Sequence, residues 1–418
     1  MDRQASTSDV KAPQNAYHAG RMGLTTVSEP VHRSRAALRW PLGLGMTVLA
    51  WIFSHEVVTS TTSGSRWSYG LDLAPWWHWD TINYLEISLG GRNFGRCGTA
   101  AFPDSTTGFL HSMHVGQTWC GYAAWLPGFP WLASVVHRLG IPIIPAGTLV
   151  AQLAWAASIF LIWLGWARSL KRLKALVLML SFSVFPGAVY AMAFFPMSLT
   201  LALLLGGLVA AKRGWWVLMA PLLFCANLCY PSSWYATVGI ACGLFLYRRR
   251  EGWLVSLRCA GWAASALLAI PALMVHDQIA FRHWNAFFVL EAQSRPPLYL
   301  PGIPSFMVAR LGSAGVHELV LQAAVAIVIV VGALTLSLRA EGRIDASFDI
   351  VMACGGIATV LGLMVTTTPG SWERGVLMAA PALLCLRRLP TLALLGVLIV
   401  LSVVTAVLSR FYFTNEFI

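Results

Sequence analysis

The chain has 418 residues, of which 57% are hydrophobic and only 11% charged, and its mean hydropathy is +0.67. A soluble core of this length has no use for so much apolar surface, which excludes a soluble globular protein and indicates a polytopic membrane protein. The formal net charge of +12 needs no nucleic-acid partner once its distribution along the chain is read.

Residues 1–40 are polar, rich in Ser, Ala, Gln and Arg, and lack a hydrophobic pattern, so they are expected to form a disordered cytosolic tail. A secretory signal would carry its apolar region nearer the start, before a small-residue cleavage site. The first apolar run is therefore read as an uncleaved signal anchor. Apolar runs of roughly 17 to 25 residues cross a bilayer as helices. Eleven are expected, at 41–59, 141–167, 175–194, 196–211, 214–229, 234–247, 259–275, 318–338, 350–366, 372–386 and 391–409. The expected fold class is an all-α polytopic membrane protein. Its one integral membrane domain covers 41–410, with a short outer tail at 411–418. The apolar stretch 119–139 competes for a place in this count. It contains Pro127, Pro130 and two glycines, and is read as an interfacial or re-entrant helix on the outer face.

Basic residues test the orientation, because cytoplasmic loops accumulate Lys and Arg. Arg33, Arg35 and Arg39 precede the first span. Arg168/Lys171/Arg172/Lys174, Lys212/Arg213, Arg248/Arg249/Arg250, Arg339/Arg343 and Arg387/Arg388 then fall in every second connection. With those connections inside, 20 of the 29 basic residues are cytoplasmic and 9 are outside, while the acids divide 7 to 10. The net charge resolves into +13 inside and −1 outside, with the N-terminus in the cytoplasm and the C-terminus out. Counting 119–139 as a span would invert every later loop.

Two long outer segments remain, 60–140 and 276–317, and extracytoplasmic chemistry must draw on them and on the mouths of the spans. The first holds Trp76-Trp77-His78-Trp79-Asp80, an acid wrapped in aromatics. The residues after it predict a short amphipathic surface helix with Ile82, Leu85 and Leu89 on its apolar side. On that helix Asp80, Asn83, Tyr84 and Ile87 share a face, and Glu86 points elsewhere. Asp80 suits two roles, a helix N-cap or a reactive carboxylate.

The run His78-Trp79-Asp80 with Tyr84, Gly90-Gly91, Ala101-Phe102-Pro103 and Trp125-Leu-Pro-Gly-Phe-Pro-Trp131 resembles the first outer loop of the PIG-V type mannosyltransferases. Phe194-Phe-Pro-Met-Ser-Leu199 is similar to that family's Phe-Pro-Glu-Ser-Leu motif, with Met197 in place of the acid. Ser371-Trp-Glu-Arg374 is similar in position to its late Arg-containing outer motif. The resemblance implies a GT-C glycosyltransferase that moves a sugar from a polyprenyl-phosphate carrier on the extracytoplasmic side, in the plasma membrane of a bacterium or the endoplasmic reticulum of a eukaryote. It implies that Asp80 is the catalytic base; His78, Trp79 and Tyr84 beside it, and His283 of the second outer segment, are substrate-binding candidates. A base on an acceptor hydroxyl is sound chemistry in its own right, and Arg374 or Arg282 could stabilise the charge on a phosphate leaving group. No cofactor is expected beyond the donor, polyprenyl-phosphate-mannose. The expected partners are membrane lipid, the lipid-linked donor and a glycan, glycolipid or protein acceptor.

Other candidates carry simpler readings beside the functional ones. Asp104, between Phe102-Pro103 and Ser105-Thr106-Thr107, is turn chemistry or a second acid. His111 and His114 lack a third ligand at a convincing spacing, so no metal is expected. Arg374 could equally snorkel at the interface. His276, Asp277, Arg282, His283 and Trp284 form either a ligand-binding cluster or a solvated loop face. Of the eight cysteines, Cys97 and Cys120 alone share the outer loop, where a disulfide between them is expected. A transporter or flippase is the competing class, yet the span interiors offer Gln152, Asn227 and Gln322 and hardly any charge, which favours surface chemistry. A noncatalytic assembly subunit of the same fold is the third.

Overall fold

A backbone inside a hydrocarbon layer has no water to bond to, so long apolar runs must satisfy their N–H and C=O groups within themselves, as helices. The computed structural model describes residues 39–60, 76, 80–96, 119–294, 314–339, 348–366, 372 and 374–414. The expected tail lies outside them, apart from its last two residues.

The chain opens with α1 (Arg39–Thr59), α2 (Thr81–Ser88), the antiparallel strands β1 (Phe94–Arg96) and β2 (Trp119–Gly121), α3 (Gly128–Arg138) and α4 (Ile143–Gly165). The middle comprises α5 (Arg172–Ser183), α6 (Ala188–Met192), α7 (Met197–Lys212), α8 (Trp216–Asn227) and α9 (Ser232–Arg248). Next, α10 (Trp253–Ala264) runs through a 3-10 turn into α11 (Ala269–Phe281), followed by α12 (Ala286–Ser294), α13 (Ala314–Arg339) and α14 (Asp349–Thr366). A 3-10 segment (Val376–Arg388) and α15 (Thr391–Thr414) complete it. Residues Pro41–Ile418 form one compact unit.

Among the described residues, five helices are long and apolar enough to cross a membrane: Arg39–Thr59, Ile143–Gly165, Trp253–Phe281, Leu321–Arg339 and Thr391–Phe413. Three shorter apolar helices, Met197–Lys212, Trp216–Asn227 and Asp349–Val365, accompany them. Leu153, Val328, Leu392 and Ile399 are exposed on these helices, as suits a lipid-facing surface. The chain is an all-α, multi-pass membrane protein.

Several expected spans differ in form. The run 175–194 is two helices, because Pro186 disfavours the α region before it and Gly187 turns left-handed at φ +91°. The stretch 119–139 resolves into β2 and α3. With 11 residues, α3 is about 16 Å long, roughly half of a hydrocarbon core. The run 372–386 is mostly a 3-10 helix, each residue from 376 to 386 buried. At about 2.0 Å per residue, a 3-10 helix reaches about a third further than an α-helix of equal length, which lets a short segment cross the centre of the bundle.

The tightest helix pair is α9 against α14. A Cβ on Gly239 would overlap the carbonyl of Cys354, and one on Gly243 would lie 2.5 Å from the Val351 Cα. Small residues at this spacing let backbones meet where lipid offers no hydrophobic drive. Two amides of the span interiors are bonded within the bundle. Gln152 accepts from Trp51 Nε1 (2.9 Å) and donates to Met192 O (2.9 Å), and Asn227 accepts from Ser233 and Thr237 while donating to Ala266 O.

Candidate active site

Asp80 begins α2, and its backbone carbonyl accepts from the N–H groups of Asn83 (3.0 Å) and Tyr84 (3.1 Å). The side chain makes no capping bond. It turns instead toward Arg374, whose Nη1 donates to Asp80 Oδ2. So Asp80 stands at the N-cap position by its backbone while its carboxylate serves an ion pair. That pair is sheltered without being sealed, with side chains 19% (Asp80) and 15% (Arg374) exposed.

α2 is seated with its polar side inward. Thr81, Asn83, Tyr84 and Ser88 are buried, whereas Ile82 and Leu89 are 38% and 55% exposed. An apolar outer side suits a helix lying at a membrane surface. Ser134 of α3 donates to the Ser88 carbonyl, which pins the far end of α2.

The floor of the site is aromatic. Arg374 lies 5.9 Å above the Phe195 ring, a cation–π contact. Phe195 meets Tyr84 (5.9 Å between centroids) and Tyr190 (5.6 Å) at steep angles. Phe194 packs against Phe129 of α3 (5.4 Å) and fills the space over Gly147 of α4, where a methyl group would overlap its ring. Burial pushes the Tyr84 phenol well up, and Tyr230, Glu291 and Cys229 nearby push it the same way. Tyr84 therefore stays neutral, a hydrogen-bond donor and not a base.

The last helix contributes as well. α15 continues to Thr414, so residues 411–414, expected in a short outer tail, are helical. Tyr412 is fully buried there and donates to the Trp76 carbonyl (2.9 Å). Trp76 in turn meets Phe413 edge-on (5.2 Å) and His55 of α1 (6.1 Å). Nothing in the periodicity of 391–409 marks Tyr412, since a lone aromatic at the end of an apolar run looks like an interface anchor.

Arg282 and His283 belong to a second assembly. Arg282 ends α11 in the left-handed region (φ 58°) and is exposed. His283 packs against Phe94 and Trp119, 5.3 Å from each, and its Nδ1 pairs with Asn285 Oδ1 (2.9 Å). The Phe94 and Trp119 rings are stacked at 5.1 Å, and Arg96 stands 6.0 Å from the Trp119 centroid. Asp277, buried, accepts from the Phe287 N–H (2.9 Å) and fixes the start of α12. These contacts fasten the turn between α11 and α12 onto β1 and β2.

Cys120 is disulfide-bonded, while Cys97, its expected partner, lies outside the described residues. So do His78, Trp79, Asp104, His111 and His114. Among the described residues no group of three His, Cys, Asp or Glu could hold a metal ion.

The site thus joins Asp80 and Tyr84 at the start of α2, Phe195 of the run before α7, and Arg374 before the 3-10 segment. No family model matches the chain, and no curated protein matches it. What the fold and site define is a class, an all-α membrane protein with a half-sheltered carboxylate–guanidinium pair over an aromatic floor.

Proposed function

We propose that this protein is a membrane glycosyltransferase of the GT-C type with eleven spans, its N-terminus cytoplasmic and its site extracytoplasmic. It transfers mannose from polyprenyl-phosphate-mannose to a glycan, glycolipid or protein acceptor. One observation carries the reading: three motifs far apart in sequence, around Asp80, Phe195 and Arg374, meet at a single acid–base pair.

Asp80 takes the proton of an acceptor hydroxyl as that oxygen attacks the anomeric carbon. The bond from that carbon to the phosphate oxygen breaks, polyprenyl phosphate leaves with the electron pair, and the anomeric configuration inverts. Arg374 offers the phosphate a planar, charge-assisted donor set. Since Arg374 holds Asp80 in the resting site, an incoming phosphate competes for the guanidinium and releases the carboxylate. Tyr84 supplies a neutral hydroxyl, and Phe195 a face against which the cation rests. The bonding of Gln152 and Asn227 within the bundle favours this reading over transport, because neither group is spare for a substrate path.

The test is lipid-linked sugar and glycan analysis in a deletion strain, complemented with the wild type or with Asp80→Asn. The reading expects a missing mannose that only the wild type restores. An unchanged profile on deletion would overturn it in favour of transport or scaffolding.

A further inference from the structure

Tyr412 closes a circuit around the Asp80–Arg374 pair that the chemistry above does not use. Its buried hydroxyl donates to the Trp76 carbonyl at 2.9 Å. Its ring meets Tyr190 edge-on (5.3 Å, 88°), and Tyr190 meets Phe195 (5.6 Å, 82°). Phe195 lies beneath Arg374, and Arg374 bonds Asp80. The circuit returns from Asp80 to Trp76 through three intervening residues, four steps of chain that reach at most about 14 Å.

We infer that Tyr412 is a positioning residue: by anchoring Trp76 it sets where the Trp76–Asp80 run begins, and so where the Asp80 carboxylate stands over Arg374 and Phe195. The hydroxyl is the informative part. An interface anchor would present it to water, whereas here it is fully buried and donates to a backbone carbonyl of a distant segment. The ring is held independently, by edge contacts with Tyr190 and Phe413 (5.2 Å). Removing the hydroxyl alone therefore leaves the ring packing in place and takes from Trp76 its bond to Tyr412. The consequence for rate rests on the glycosyl-transfer reading; the anchoring of α2 does not.

Tyr412→Phe in purified protein in lipid nanodiscs separates the two. Transfer from polyprenyl-phosphate-mannose should show kcat lowered about ten- to a hundredfold, the scale of a misplacement of roughly 1 Å, with KM for the donor unchanged. Hydrogen exchange should quicken in the amides of α2 while those of α9 and α14 keep their wild-type rates. Unchanged exchange in α2, or equal quickening in α9 and α14, would overturn the inference, as would an unchanged kcat in an active enzyme. If the wild type transfers no mannose, the glycosyl-transfer reading has failed and the exchange result alone decides the anchoring.

Discussion

Two aspartate–arginine clusters sit at opposite ends of one element, and they use the same chemistry differently. Before the 3-10 segment, Asp80 meets Arg374 through one carboxylate oxygen, with both side chains partly exposed. At its far end Asp349 is fully buried and both oxygens are bonded, Oδ1 to Arg387 (2.6 Å) and Oδ2 to Arg388 (2.7 Å). Cys385 also donates to the Asp349 carbonyl (3.5 Å). A carboxylate held twice in the dry interior is a bolt, because releasing it would strand charge in a medium that cannot solvate it. A carboxylate held once at a wet edge can exchange partners. The comparison teaches that the accessibility of the carboxylate and the number of its bonded oxygens separate a pair that can exchange partners from one that is fixed.

The largest expected effect lies on the Asp80–Arg374 pair. Asp80→Asn should lower transfer on the order of a hundred- to ten-thousandfold, the usual contribution of a general base, with membrane abundance unchanged. Near wild-type turnover, measured in vesicles supplied with polyprenyl-phosphate-mannose, would dissolve the distinction. The Asp349 cluster should show the reverse. Asp349→Ala strands two arginines and should cost about 3–5 kcal/mol of stability. Thermal denaturation in detergent reads that loss, while turnover per folded molecule is retained.

How far the sequence foretells this contrast depends on the residue. Arg387 and Arg388 are legible as cytoplasmic charge, and Asp80 as an acid in an aromatic run, because both signals are local. Asp349 reads only as an acid near a span end, since its partners lie 38 and 39 positions away. The Asp80–Arg374 bond spans 294 positions, and no periodicity encodes it; the motif resemblance names both residues without joining them. Arg282 shows a different limit. Its place after an apolar run suggests phosphate binding, and nothing local announces that the backbone turns left-handed there to end α11 or that tertiary packing takes His283 to β1 and β2. Helix existence is readable from apolar length, whereas the 3-10 form of 376–388 leaves no mark in that length.

A smaller effect tests whether the bundle between the clusters holds them in place. Gly239→Leu drives a side chain into the α14 backbone at Cys354, and overpacking of this kind costs about 1–3 kcal/mol. Both clusters flank the α9–α14 pair, through Asp349 at the start of α14 and through Gly375, which packs on Ser232 and Leu363. Stability and turnover should therefore fall together, unlike in either aspartate variant. A loss confined to one of them would show that the clusters are held independently.

The smallest effect is the most discriminating, because it keeps every charge. Lysine carries the same charge as arginine but presents a compact ammonium in place of a planar fork. At Arg374 the fork is asked to hold Asp80 and then a phosphate, so Arg374→Lys should lower kcat on the order of tenfold, about 1.4 kcal/mol in the barrier, with little change in melting temperature. At Arg388 only Nε touches Asp349, and Arg387 holds the other oxygen. Arg388→Lys should accordingly shift stability by under about 1 kcal/mol, leaving kcat alone. Parallel kinetics and melting curves on the two variants decide the matter. If both lose stability and neither loses turnover, the Asp80–Arg374 pair is a second bolt, and the search for the base moves to the acids of the first outer segment.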